Sequence, residues 1–188
     1  MSACTLTVTY APMGAGKTNR LLQLAKDYER IGRSVTLFVP EVAVPEKFTG
    51  QSCFIHKCRM GIKFKAEVLS DETLANGSGT GDIIIVDEAQ FLTAPQVGWL
   101  IRYSHLGKKV HCFGLYSDYF GTPFDSMAQL LAFSTESRSM SALCACGGRA
   151  TMNVRSDVTD KNSTKPRVDV GATYQTVCVD CFLGHWNT

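Results

Sequence analysis

Apolar residues recur along this chain first with period two and then with helical spacing. Residues 4–10 (CTLTVTY) alternate and are rich in β-branched residues, which predicts a strand. After a glycine-rich turn, TNRLLQLAKDYERIG places Leu21, Leu22, Leu24, Ala25 and Tyr28 on one helical face and stops at Gly32. SVTLFVP (34–40) predicts a second strand ended by Pro40. DIIIVDEAQFL (82–92) opens with a continuous apolar run, the pattern of a strand buried on both faces. APQVGWLIRYSHLG then predicts a helix, KKVHCFGLYSD a strand, and SMAQLLAFS a helix capped by Asp125. Between 41 and 81 the pattern weakens. Pro45, Gly50 and ANGSGTG (75–81) mark loops there, around one strand at 66–69.

Strand and helix in alternation imply an α/β fold, a parallel sheet with flanking helices. After about residue 140 the pattern changes to short strands, glycines, the polar stretch SDVTDKNSTKPR (156–167) and paired cysteines. The expected organisation is a main domain over 1–140 and a small appendage over 141–188, without internal repeats. A length of 188 residues suits that plan, and 45% hydrophobic with 19% charged residues is enough to bury a core and excludes long disorder. The net charge of +2 argues against a dedicated nucleic-acid or membrane-surface protein. No stretch reaches membrane-spanning length, and MSACTLTVTY lacks the basic and apolar segments of a secretory leader, so the expected location is the cytosol.

The turn between the first strand and helix reads APMGAGKT: Ala11, Pro12, Met13, Gly14, Ala15, Gly16, Lys17 and Thr18. Its end matches a phosphate-binding P-loop, in which backbone N–H groups and a helix N-terminus face phosphate oxygens. Lysine reaches the β- and γ-phosphates and the hydroxyl ligates Mg²⁺. The pattern has a glycine where Ala11 stands, but alanine is tolerated if its φ is negative. The plain alternative is a loop that merely joins strand to helix. DIIIVDEAQ supplies the expected partner: Asp87, at the end of an apolar strand, can hold Mg²⁺ through water. Glu88 follows, placed to activate water in an ATPase or to take a proton from a substrate hydroxyl in a kinase. In isolation Asp-Glu after a strand is a solvated turn.

Of eight cysteines, Cys4 and Cys112 fall in strand-like runs and are expected as small buried hydrophobes; Cys53 and Cys58 are scattered. Cys144 and Cys146 in LCACGG, and Cys178 and Cys181 in TVCVDCF about thirty residues on, suit a four-sulfur structural zinc site. A redox dithiol or unliganded thiols are the alternatives, and His185 lies near enough to compete as a ligand. With four thiolates no coordination position is open, so the metal has no expected catalytic part.

A P-loop with alanine first, then Asp-Glu-Ala-Gln-Phe-Leu, then two cysteine pairs resembles the cellular-type (type II) thymidine kinases, particularly their bacterial and phage branch, from about residue 5 to 182. FGLYSDYFGTPF (113–124) is similar to the family's Tyr-Gly-Leu-Arg-Thr-Asp-Phe segment. RVDVGATYQTVC (167–178) is similar to the run from the substrate-covering loop, the lasso, into the last zinc ligands. The resemblance implies a RecA-like P-loop kinase domain with a small zinc-binding lasso domain, and transfer of the ATP γ-phosphate to the 5′-hydroxyl of thymidine. It implies Glu88 as general base, and ATP and Mg²⁺ held by residues 11–18, Asp87 and Gln90. Phe91, Tyr119, Phe124, Val168, Val170, Gly171 and Tyr174 would bind thymidine, with plain core packing the alternative for Tyr119 and Phe124. A homotetramer or homodimer, feedback by thymidine triphosphate and a cytoplasmic location (the host's, if phage-encoded) are further expectations from the family.

One departure stands out. Where the family carries Asp-x-Arg after the second strand, this chain has PEVAVPEKF, with Ala43 and Pro45 in those places. Losing an arginine that neutralises transition-state charge is costly. Glu46 and Lys47, or Lys57 and Arg59, are the candidates to replace it; in CRMGIKFKA, which is similar to the family's Ser-Arg-x-Gly segment, Cys58 replaces serine. Three rivals follow. A helicase-like motor is suggested by DEAQ but lacks room for a second lobe, a binding protein without turnover is suggested by the missing arginine, and a zinc-ribbon adaptor fits poorly with near-neutral charge.

Overall fold

The structure, a computed structural model, describes residues 5–75, 81–158, 160, 163 and 173–186. Strand β1 (Thr5–Tyr10) leads through the glycine-rich turn into helix α1 (Lys17–Arg30), and β2 (Val35–Pro40) follows. Two 3₁₀ turns (Glu41–Ala43 and Glu46–Phe48) precede β3 (Cys53–Lys57), β4 (Lys63–Leu69) and the short α2 (Asp71–Ala75). Then come β5 (Ile83–Val86), α3 (Ala94–His105), β6 (Lys109–Gly114), α4 (Asp125–Phe133) and β7 (Glu136–Ser139). Seven strands form one sheet in the order β3-β4-β2-β5-β6-β1-β7, parallel except for the β3–β4 pair.

The apolar run of β5 is buried on both faces because each face packs a different core. Ile84 and Val86 join Leu6, Val8, Val110 and Cys112 beneath α3 and α4. Ile83 and Ile85 join Leu37, Val39 and Phe113 beneath the Leu21, Leu22 and Ala25 face of α1. That two-sided burial is what a parallel sheet wrapped by crossover helices demands. It also buries Thr7 and Thr9 of β1, whose alternation alone suggests a half-exposed strand.

Two expectations are corrected, and one strand is added. The region 41–81 holds two strands, not one: β4 extends back to Lys63, and β3 adds an antiparallel edge strand. Its CFIHK pattern is short and ends in charged residues, so it carries little strand signal. Asp125 is the first residue of α4 rather than its cap; Phe124 holds that position without a side-chain cap. The short β7 pairs with β1 and closes the far side of the sheet, although its four residues are all exposed and carry no apolar pattern.

Beyond residue 140, β8 (Ala142–Leu143) and β9 (Arg149–Ala150) make a hairpin, β10 (Met152–Arg155) pairs with β11 (Tyr174–Val177), and α5 (Val179–His185) follows. These elements pack on the segment after β6. Tyr119 contacts Tyr174 at 6.3 Å between ring centroids, Arg155 lies over Tyr119, and Phe120 stacks on Trp186 at 5.5 Å. Among the described residues no helix is long and apolar enough to cross a membrane.

Candidate active site

Parallel strands end on one edge of the sheet, and that edge gathers the loops that carry chemistry. Gly14 (φ 71°) and Gly16 (φ 86°) turn the chain out of β1 into α1, with Gly16 as the helix N-cap. A Cβ at either would meet nothing within 4 Å, so the requirement for glycine is conformational, not steric. Among the described residues Glu88 is the sole non-glycine with positive φ, so Ala11 sits where its Cβ costs nothing. Its N–H donates to Gly114 O at 3.2 Å, tying the loop to the end of β6.

Lys17 is 7% exposed, and its Nζ donates to the carbonyl oxygens of Pro12 (3.1 Å) and Ala11 (3.4 Å). Burial holds its pKa below the ordinary lysine value, opposed by the charges of Glu88 and Asp87. Asp87, fully buried, accepts on Oδ2 from Thr18 Oγ1 (3.1 Å) and on Oδ1 from the Glu88 N–H (3.0 Å). Because the Thr18 hydroxyl donates to Asp87, its lone pairs are left for a cation, and the hard oxygen donors present suit Mg²⁺.

Glu88 adopts the left-handed conformation (φ 53°, ψ 40°), at a cost of about 1 kcal/mol. The turn aims its carboxylate at a cavity of about 330 Å³ shared with Met13, Gly14, Lys17, Thr18, Lys57 and Arg59. Burial, and next the Asp87 charge, push the Glu88 pKa above the usual carboxylate range. Gln90 lies beneath it, 5% exposed: its Nε2 donates to Glu88 Oε2, while its Oε1 accepts from the Leu115 N–H at 3.0 Å. Gln90, expected among nucleotide-binding residues, thus meets Glu88 itself and ties it to the end of β6.

The expected thymidine-binding residues divide. Phe91 and Phe124 meet edge to face (6.4 Å, 73°), and Phe91 also lines a second cavity of about 620 Å³ with Pro40, Glu41, Leu69 and Asp71. Tyr119 is 1% exposed, between Phe120, Tyr174 and Arg155. Val168, Val170 and Gly171 lie outside the described residues. Ala43, Val44 and Phe48 pack on the α1-side core, and the Lys47 ammonium lies over the Phe48 ring. Of the candidate substitutes for the missing arginine, Lys57 and Arg59 line the P-loop cavity.

Residues without a motif also reach the site. His56 Nε2 lies 2.9 Å from Asp87 Oδ2. Met13 is clasped from the C-terminal elements: its N–H donates to Asn153 Oδ1 and its carbonyl accepts from Thr176 Oγ1, both at 2.8 Å. Asn153 and Thr176 lie 140 and 163 residues from Met13, and no sequence pattern signals them.

The four paired cysteines converge, with all Sγ atoms within 4.8 Å of one another. Cys146 and Cys178 Sγ are 3.6 Å apart, close to the edge of about 3.8 Å for a tetrahedron with Zn–S bonds of about 2.3 Å. Cys144 Sγ, facing the N–H groups of Cys146 and Cys178, has its pKa pulled down to about 6, while thiol neighbours, Cys178 first, push Cys181 up to about 12. Four thiols this close cannot all ionise without a compensating cation, and a soft dication such as Zn²⁺ fits the donor set. Gly148 packs against this cradle: a Cβ there would lie 3.4 Å from Cys146 Sγ and Cys178 Cβ, at ordinary contact distance. His185 is turned away, its Nε2 2.8 Å from Val158 O.

Residues 4–182 match the family model described as thymidine kinase. The chain is similar to a thymidine kinase of Chromobacterium violaceum, 33% identical over 92% of this chain and 95% of that one. It is similar to one of Rhizobium meliloti, 35% identical over 97% and 95%, and to one of Mesorhizobium japonicum, 36% identical over 80% and 75%.

Proposed function

Because the chain belongs to the thymidine kinase family, we propose that its site transfers the γ-phosphoryl group of ATP to the 5′-hydroxyl of thymidine. The observation that carries this reading is one cavity wall shared by Lys17, Thr18 and a partly buried Glu88, with Asp87 behind them. In phosphoryl transfer the protein's contribution is positioning and charge neutralisation rather than covalent chemistry. The loop from Ala11 to Thr18 cradles the triphosphate, and Lys17 neutralises it. Thr18 and Asp87 would hold Mg²⁺, which when bound would offset the phosphate charge. Glu88 takes the proton of the attacking hydroxyl, and Gln90 keeps its carboxylate oriented. Phe91, Tyr119, Phe124 and Tyr174, with Val168, Val170 and Gly171, form the thymidine side. The division into a kinase domain over 1–140 and a zinc-binding lasso domain over 141–188 belongs to the same reading.

A base works only when deprotonated, so activity falls as pH drops through the Glu88 pKa. Since that pKa is raised, the acid limb of kcat/KM should lie above the value of about 4.3 typical of a free glutamate. A limb at or below that value would remove Glu88 from the role.

Arg59, with Lys57, supplies the cation that Ala43 and Pro45 do not. Arg59→Ala should lower kcat/KM by about 10²-fold, the order of loss seen when one transition-state donor is removed. Lys47→Ala should leave it unchanged. Equal effects of the two would reject the assignment.

The reading as a whole is tested by transfer of radiolabelled phosphate from ATP to thymidine, deoxyuridine, deoxycytidine and purine nucleosides in parallel. Product with thymidine above all others is expected. Nucleoside binding without transfer at saturating ATP would instead establish a binding protein.

A further inference from the structure

We propose that His56 is a positioning residue for the metal-facing carboxylate of Asp87, a role that rests on the phosphoryl-transfer reading above. The edge strand β3 delivers it. Side chains alternate along a strand, so Phe54 and His56 face inward while Ile55 faces out; Lys57, exposed at the strand's end, still lines the P-loop cavity. Phe54 is 5% exposed in the α1-side core and stacks on Phe48 at 5.1 Å, which fixes the strand two residues before the site. The His56 ring stands edge-on to Phe54 (5.7 Å, 83°), and its side chain is 17% exposed on the wall of the P-loop cavity.

An ionised carboxylate only accepts hydrogen bonds, so the ring atom that faces it, Nε2, presents the N–H. Asp87 therefore receives three donors from three separate segments: the Thr18 hydroxyl from α1 and His56 Nε2 from β3 on Oδ2, and the Glu88 N–H on Oδ1. Together they set the plane of the carboxylate and the rotamer of the Thr18 hydroxyl that donates to it. Remove His56 and Oδ2 rests on Thr18 alone, free to rotate away from the direction in which a cation is held. Among the described residues no hydrogen bond joins His56 to the P-loop N–H groups or to Lys17, so their grip on phosphate stays. The signature of the role is thus a loss confined to the Mg²⁺-dependent part of nucleotide affinity.

Calorimetric titration with ADP, with Mg²⁺ and in chelator-free buffer without Mg²⁺, tests this on the full chain without relying on turnover. His56→Leu should lose about tenfold in affinity in Mg²⁺, the scale on which groups behind a metal ligand act, and keep wild-type affinity without Mg²⁺. His56→Gln, whose amide can still donate, should recover most of the Mg²⁺-dependent gain. His56→Ala, titrated alongside, serves the same comparison should the leucine variant not fold. The proposal is overturned if the leucine and alanine variants keep the full gain, if they lose affinity equally without Mg²⁺, or if glutamine behaves as leucine does. Wild-type protein that binds ADP in neither condition overturns the underlying reading, and this inference with it.

Discussion

Glu88→Gln is expected to lower phosphoryl transfer by about 10³-fold, within the range that a positioned general base contributes, while ADP affinity changes little. The amide keeps the shape of the side chain and can still accept from Gln90 Nε2, so the left-handed turn and the link to β6 persist. Only the capacity to take a proton is lost. The same substitution should raise thermal stability. The folded-state pKa of Glu88 lies above its unfolded value, so stability falls as pH rises from the unfolded to the folded pKa, and the penalty is complete above the latter. At neutral pH a neutral amide removes that penalty, and melting should occur at a higher temperature than in the wild type. Steady-state kinetics, ADP titration and thermal melting separate the outcomes. A variant with wild-type rate would show that another group takes the proton.

Loss of zinc should be the second large effect, and it should reach the P-loop. Wild-type protein is expected to carry close to one zinc per chain, and Cys144→Ser to carry almost none. Structural zinc contributes on the order of 10 kcal/mol to the folding of such sites, and the cluster here is a small core of Cys144, Ala150 and Cys178 with few apolar neighbours. Without metal the β8–β9 hairpin, which carries Cys144 and Cys146, loses its tie to Cys178 and Cys181 at the start of α5. Asn153 and Thr176, on the adjoining β10 and β11, then release the backbone of Met13 in the P-loop. A displacement of about 1 Å at a reacting centre costs about 10²-fold, so kcat/KM should drop by at least that order in the serine variant. Cys53→Ser, which changes a thiol outside the cluster, should keep both zinc and activity. Wild-type protein with far less than one zinc per chain, or a Cys144→Ser variant at full activity, would reject this coupling.

Legibility from sequence followed the range of the interactions concerned. The P-loop, Asp87 and Glu88, and the cysteine pairs were readable because each is a short local pattern whose spacing the chemistry itself dictates. Gly14 and Gly16 announce positive φ, and both have it. The apolar run of β5 announces two-sided burial, and each of its four residues is fully buried. β3 and β7 escaped notice because edge strands need only one partner and little apolar surface, so their residues carry a weak periodic signal. The choice between Lys47 and the pair Lys57 and Arg59 was equally hidden. It depends on which side of the sheet edge each turn folds toward.

By itself the sequence determined the fold class, the phosphate loop, the two acidic residues beside it and the two cysteine pairs that cluster, since local conformational and chemical constraints leave few alternatives. Only the tertiary structure decided that Gln90 supports Glu88 and that His56 reaches Asp87. It alone decided that Asn153 and Thr176 clasp Met13 from the C-terminal elements. Those contacts join residues as much as 163 positions apart: strand order in the seven-stranded sheet brings His56 beside Asp87, and packing of the separate β10–β11 pair brings Asn153 and Thr176 to Met13, neither of which a local pattern encodes.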